Sequence, residues 1–244
     1  MRGLSPRGTV PIAVTSTRSL RSPAVPCRAV IFDFNGTLSD DEPILYAIYA
    51  KLFAEHGRPL AEHDYYEQLA GLSDPEIVHR WLGYRDDAES VVHQRVTRYR
   101  EAVADGSTVH PPVRRAVALA AARVPVAIVS GAAAAEIRPV VAAAGLTEHF
   151  TAVVTADDVT HGKPHPEGYL RALELLSERA PGLAPDEVTA FEDTEAGIAS
   201  AKAAGLRCIA VSRTLPPERL AAADARVPAV DEAIVAAALD AALP

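Results

Sequence analysis

Short apolar runs that stop at polar residues punctuate the chain. Ala29-Val30-Ile31-Phe32 stops at Asp33, and Val124-Pro125-Val126-Ala127-Ile128-Val129 stops at Ser130-Gly131. Ala152-Val153-Val154-Thr155 runs into Ala156-Asp157-Asp158, Val188-Thr189-Ala190-Phe191 ends at Glu192-Asp193, and Cys208-Ile209-Ala210-Val211 ends at Ser212. Uninterrupted apolar runs of this length read as strands buried on both faces. Ala-rich helical stretches separate them, at about 113–123, 132–144, 167–178, 195–204 and 231–242. The alternation predicts an α/β fold, a Rossmann-like, doubly wound parallel sheet with crossover helices. Gly145 and Gly205 stand where helix C-caps are expected. Pro139 is expected to bend or restart its helix.

One interval breaks the alternation. Residues 40–110 contain no convincing strand and carry helical periodicity: Ile44, Leu45, Ile48, Tyr49, Leu52 and Phe53 recur on one face, and stretches near 65–69, 74–82 and 88–103 follow suit. Six of the seven tyrosines (46, 49, 65, 66, 84 and 99) and the one tryptophan, Trp81, lie there, read as the core of an inserted helical domain. The expected organisation is a core of 29–39 and 111–244, a helical cap over 40–110 beside the strand end that carries Asp33, and a tail over 1–28. An insertion at that place can close over a site and exclude water.

Composition narrows the classes. The apolar fraction of 49% supports a sizeable core, and the net charge of −8 argues against nucleic acid and anionic membrane surfaces as partners. The sequence contains no apolar run of about 18 residues, the length that would span a bilayer. Cys27 and Cys208 form no ligand pair and fit a reduced, cytoplasmic setting with buried thiols. Residues 1–28 carry five arginines and no acid. They lack the apolar stretch of a secretory signal. A tail is favoured over an organellar targeting segment or a start assigned too early, because the chain has only three lysines among 24 basic residues and is rich in Ala.

The polar residues at the strand ends carry the chemistry. In open α/β sheets the C-terminal strand ends meet at one edge. That edge would gather Asp33, Ser130 with Gly131, Lys163 in Gly162-Lys163-Pro164, and Glu192-Asp193. Paired carboxylates and a backbone carbonyl make a hard oxygen site suited to Mg²⁺. Ser130, Gly131 and the N–H groups that follow can hold phosphoryl oxygens near a helix N-terminus. His161 and His165 flank Lys163, but His and Cys do not cluster at zinc-ligand spacing.

Asp33-Phe34-Asn35-Gly36-Thr37-Leu38, Val129-Ser130-Gly131, Gly162-Lys163-Pro164 and Phe191-Glu192-Asp193-Thr194 resemble, in order, the four motifs of the haloacid dehalogenase-like (HAD) hydrolases, β-phosphoglucomutase-like branch with a helical cap. The resemblance implies a Mg²⁺-dependent phosphomonoesterase acting on a small phosphorylated metabolite such as a sugar phosphate. Asp33 would be the nucleophile that forms an aspartyl-phosphate. The Asn35 carbonyl, Asp33, Asp193 and Glu192 would hold the metal. Ser130, Gly131 and Lys163 would bind the phosphoryl group. A monomer or weak homodimer is expected.

The chain departs from the pattern at Asn35, where the family's second Asp protonates the leaving group and activates water. An amide can do neither. Family members that lack this Asp include P-type ATPases, haloacid dehalogenases and phosphonoacetaldehyde hydrolases. Dehalogenases lack an acid pair such as Glu192-Asp193. Phosphonoacetaldehyde hydrolases use a cap Lys where this chain has Gly71-Leu72-Ser73-Asp74, and Lys51 is the one lysine of the cap. Three readings stand. The protein is a slow or specialised phosphatase that uses substrate, water or a neighbour such as Asp40. It is an impaired member that binds a phosphometabolite or a protein partner. Or Asn35-Gly36 deamidates to an aspartate. A phosphomutase or phosphonate hydrolase of the same superfamily is a further alternative. On sequence alone, Asn35→Asp should raise turnover.

Overall fold

The computed structural model describes residues 25–240. Most of the proposed tail, and residues 241–244, lie outside them. Strand β1 (Ala29–Phe32) leads into α1 (Glu42–Glu55), α2 (Glu62–Asp64) continuing as a π-helical turn (Tyr65–Leu69), α3 (Asp74–Leu82) and α4 (Ala88–Ala102). The chain then alternates: α5 (Pro111–Ala121), β2 (Val126–Val129), α6 (Ala134–Ala143), β3 (Ala152–Val154), α7 (Glu167–Ser177), β4 (Val188–Glu192), α8 (Glu195–Ala203), β5 (Arg207–Val211), β6 (Ala225–Val227) and α9 (Glu232–Leu239).

The strands form one parallel sheet in the order β3-β2-β1-β4-β5-β6. β1, β2 and β4 are buried along their whole length, as their unbroken apolar runs require. The chain leaves β1 towards β2 on one side and returns after β3 to β4 on the other. The crevice between β1 and β4 is therefore the topological switch point, where such sheets bind ligands. Phe32 pairs with Phe191 across it, their rings stacked with centroids 5.1 Å apart. The next residues, Asp33 and Glu192, emerge side by side.

Two details differ from the sequence expectation. α6 runs continuously through Pro139, whose missing N–H falls within an otherwise regular helix. β6 was not expected. It has three residues, with Arg226 exposed at its centre, so it carries no apolar run and is too short for its alternation to mark a strand. Gly145 and Gly205 do end helices, with φ of 74° and 83°. Arg28, at the end of the proposed tail, is tied to the core: its N–H donates to the Glu187 carbonyl and its guanidinium pairs with the Glu187 carboxylate at 2.7 Å.

Tyr49, Tyr65 and Tyr99 are buried in the helical segment between β1 and α5, as an aromatic core requires, whereas Tyr84 is exposed. Among the described residues no helix is long and apolar enough to cross a membrane. Cys208 is buried, while Cys27 is only half-buried.

Candidate active site

Asp33 follows β1 and is fixed by its N–H, which donates to the Phe191 carbonyl at 2.9 Å. Its carboxylate accepts from Lys163 Nζ at 2.5 Å. The same ammonium lies 2.5 Å from Glu192 Oε1 and donates to the Val129 carbonyl at 3.2 Å. Lys163 thus ties together the ends of β1, β2 and β4. Burial works to lower its ammonium, but Asp33 and Glu192 outweigh burial and hold it above its ordinary value. Burial lifts the Asp33 carboxyl to about 7 against the pull of Lys163, and the Glu192 charge adds to the lift.

Glu192 and Asp193 follow from the register of β4. Tyr169 OH donates to Glu192 Oε1 at 2.5 Å, and Thr214 Oγ1 donates to Asp193 Oδ2. Two glycines make room for these carboxylates. A Cβ at Gly36 would stand 1.9 Å from Asp193 Oδ2, and Gly36 also turns the chain with φ of 72°. A Cβ at Gly197 would stand 1.9 Å from Glu192 Oε2.

Asp33, Glu192 and Asp193 each bring a carboxylate oxygen to within 4.8 Å of the others, in a buried group. Asp193 is pushed well above the usual carboxylate range by burial first, then by the charges of Asp33 and Glu192. Three carboxylates facing one ammonium are a hard oxygen donor set that lacks positive charge, and such a set suits Mg²⁺. Among the described residues, no backbone N–H donates to the Asn35 carbonyl, which leaves it available as a further oxygen ligand. His161, His165 and Glu167 form a second, surface group of possible ligands.

Ser130 follows β2. Its Oγ accepts from Ala132 N at 3.1 Å, as a cap would. Of the N–H groups after it, Ala134 donates to Asp157 at 2.9 Å and Ala133 to Glu136 at 3.3 Å. Among the described residues the Gly131 N–H has no protein acceptor. The anion site expected from the sequence therefore narrows to the Ser130 hydroxyl, the Gly131 N–H and Lys163.

Asn35 is oriented by partners that the sequence reading missed. Its Nδ2 donates to Asp41 Oδ2 at 2.9 Å and to Tyr99 OH at 3.0 Å. Asp41 also accepts from Tyr99 OH and, at 3.2 Å, from the Gly36 N–H. The residue beside Asn35 is thus Asp41. Asp40, the neighbour proposed from the sequence, instead meets His110 at 3.1 Å and Arg213 at 3.4 Å. Deamidation requires the Gly36 nitrogen to attack the Asn35 side chain. Here that N–H is held by Ser39 O at 2.9 Å, and the amide is held by Asp41 and Tyr99. Both contacts oppose the reaction in the folded chain.

A cavity of about 490 Å³ opens over these groups, between the strand ends and the helical segment. Asp33, Asn35, Ser130, Lys163 and Asp193 form its floor, and Glu42 and Arg95 come from the helices above. Arg95 is buried and pairs with Asp74 of α3 and with Glu136 of α6, so it joins the helical segment to the core. Asp41, Glu42, Tyr99, Arg95, Tyr169 and Thr214 were all missed as site residues. The acidic run Asp40-Asp41-Glu42 directly after the Asn35 turn was the one local signal for any of them.

The fold is a Rossmann-like α/β parallel sheet that gathers a carboxylate, an ammonium and an acid pair at its switch point. The family model for haloacid dehalogenase-like hydrolases matches residues 30–211, and the chain belongs to that family. It is 31% identical over 189 residues to a phosphorylated carbohydrates phosphatase of Thermotoga maritima, covering 74% of this chain and 83% of the relative. It is 33% identical over 217 residues to the protein CbbY of Rhodobacter capsulatus, covering 82% of this chain and 92% of that one. Among solved structures, a variant of CbbY from Rhodobacter sphaeroides in complex with xylulose 1,5-bisphosphate superposes with a TM-score of 0.72 at 25% identity, covering 84% of this chain and 95% of that chain. The chain is an enzyme of the hydrolase class, of the phosphatase kind these relatives represent.

Proposed function

We propose that the protein is a Mg²⁺-dependent phosphomonoesterase for a small phosphorylated metabolite of sugar-like character, working through an aspartyl-phosphate on Asp33. The observation that carries this reading is the Asp33 carboxylate on the cavity floor, 2.5 Å from Lys163 and beside Asp193 and Glu192. Asp33 attacks phosphorus while Lys163, Ser130 and the Gly131 N–H hold phosphoryl oxygens. Asp33, Asp193, Glu192 and the Asn35 carbonyl would hold Mg²⁺, which when bound neutralises charge on the phosphoryl group. Residues 40–110 act as a cap, with Arg95 and Glu136 closing it onto the core and keeping water from the phosphoryl group. The relatives that act on phosphorylated carbohydrate, and CbbY with its bound sugar bisphosphate, support the substrate class.

The test is phosphate release with Mg²⁺ across a panel of phosphorylated sugars and small phosphorylated acids, comparing the native protein with Asp33→Asn. Native turnover that disappears in Asp33→Asn supports the proposal. Equal release by both proteins, or none by the native protein, refutes it.

A further inference from the structure

Asn35 spends both amide hydrogens on Asp41 and Tyr99. The group it can offer the cavity is its carbonyl oxygen Oδ1. That oxygen can orient a water or a hydroxyl but cannot take or give a proton at neutral pH. A phosphate ester of an ordinary alcohol still needs a proton on its leaving oxygen. The acids nearest Asn35 in sequence differ in access. Asp40 is engaged by His110 and Arg213, and Asp41 is fully buried behind Asn35, whereas Glu42 lines the cavity that Asp33 also lines.

We propose that Glu42 is the acid–base catalyst of this site: it protonates the leaving oxygen and then removes a proton from the water that attacks phosphorus. The inference rests on the aspartyl-phosphate reading above. In the first half-reaction the Asp33 oxygen bonds to phosphorus, the bond from phosphorus to the ester oxygen breaks, and that oxygen takes the Glu42 proton and leaves as an alcohol. In the second, water adds to phosphorus, its proton passes to the Glu42 carboxylate, and the bond to Asp33 breaks with return of the Asp33 carboxylate and release of phosphate. Glu42 ends as it began.

The geometry suits both roles. Tyr65 OH donates to Oε1 at 2.8 Å and is the carboxyl's hydrogen-bond partner among the described residues, so Oε2 of this cavity-lining side chain is not held by a protein group. The charged and titratable groups around Glu42 are Asp41 beside it, Tyr65 and Tyr66 of the π-helical turn, Arg95 of α4, Asp33 after β1 and Asp193 after β4. Burial lifts the Glu42 carboxyl to about 7, and the charge of Asp41 adds to this, while the Tyr65 hydroxyl pulls it down. The N-terminus of α1, where Glu42 is the first residue, favours the anion, but burial outweighs it. A carboxyl balanced near neutrality can serve in both directions.

The test follows product formation by native protein and Glu42→Gln with Mg²⁺, using two probes. Glucose 6-phosphate has a leaving group that needs a proton, and p-nitrophenyl phosphate has one that does not. The native protein should turn over both. Glu42→Gln should lose about 10²- to 10⁴-fold on glucose 6-phosphate. With p-nitrophenyl phosphate it should give a burst of one p-nitrophenolate per enzyme and then stall, because the phosphoryl group reaches Asp33 but water is not activated. Equal losses on both probes without a burst, or a native protein inert on both, would overturn the proposal. Should Glu42→Gln fail to fold, Tyr65→Phe decides. Loss of that hydroxyl should move the alkaline limb of the native kcat profile to higher pH, and an unmoved limb overturns the role of Glu42. Loss of the p-nitrophenyl phosphate burst in Asp33→Asn is required by the underlying reading, so a burst that persists there rejects that reading instead.

Discussion

Asn35 Nδ2 lies 2.9 Å from Asp41 Oδ2, so an amide and a carboxylate stand together where the family pattern has a carboxylate at the first position. Burial pushes the Asp41 carboxyl above its ordinary value, and the donors Tyr99, Ser39, Asn35 and Gly36 work against burial. A second carboxylate at 35 would remove one of those donors and add a like charge. The expectation that Asn35→Asp alone restores the family chemistry therefore changes. The single variant should lose about 1.5–3 kcal/mol, the worth of a hydrogen bond to a charged group. The exchange Asn35→Asp with Asp41→Asn keeps the contact and the net charge and should recover most of that loss. Denaturant titration of the two single variants and the double variant measures the coupling.

Arg95 carries a second relationship of this kind. It is buried between Asp74 and Glu136 and joins α3 and α4 to α6. Arg95→Met should strand both carboxylates and cost about 3–5 kcal/mol. Urea unfolding monitored by Trp81 fluorescence, alongside far-UV circular dichroism for the core, reads both the loss and any separation of the two transitions.

Glu42 should make stability depend on pH. In the unfolded chain its carboxyl ionises near its ordinary value, and in the folded chain near 7. Between about pH 4.5 and 7 the folded state keeps a proton that the unfolded state releases, so this contribution is present below that window and lost as pH rises through it. The full loss is on the order of 3 kcal/mol. In EDTA, Glu42→Gln should therefore lose less stability than the native protein between pH 5 and pH 8. Identical slopes for the two proteins in chemical denaturation would remove Glu42 as the cause.

Asp33, Asp193 and Glu192 crowd together, and a divalent cation should relieve them. Mg²⁺ should raise the native Tm, and Asp193→Asn should weaken Mg²⁺ binding strongly in calorimetry. Unchanged affinity in that variant would place the ion elsewhere. Lys163→Ala should abolish the further stabilisation given by phosphate or vanadate in the presence of Mg²⁺.

Much of the fold was legible because parallel strands buried on both faces are written as unbroken apolar runs. β1, β2, β4 and β5 announced themselves in this way, and the first three lead directly to Asp33, Ser130 and Asp193 on the cavity floor. β6 was not legible, since a three-residue edge strand with an exposed Arg226 has no such signature. Asp33, Glu192 and Asp193 could be found because a strand end fixes where a side chain emerges, and Lys163, which lies in the loop between β3 and α7, through the Gly162-Lys163-Pro164 motif. Tyr169, Tyr99 and Thr214 could not. They reach the site from a helix face or a loop, and their tyrosine and threonine identities are equally those of packing residues. The pairing of Asn35 with Asp41 depends on how the turn at Gly36 folds back, which spacing alone does not reveal.

The proposed reaction turns on a phosphoryl group carried by Asp33. Acid quench of the native protein during turnover of a substrate from the panel, followed by mass spectrometry of its peptides, tests it most directly. A phosphorylated peptide containing Asp33 is expected, and it should disappear in Asp33→Asn together with turnover. Steady turnover with a phosphoryl group on another residue, or turnover that survives in Asp33→Asn, would contradict it.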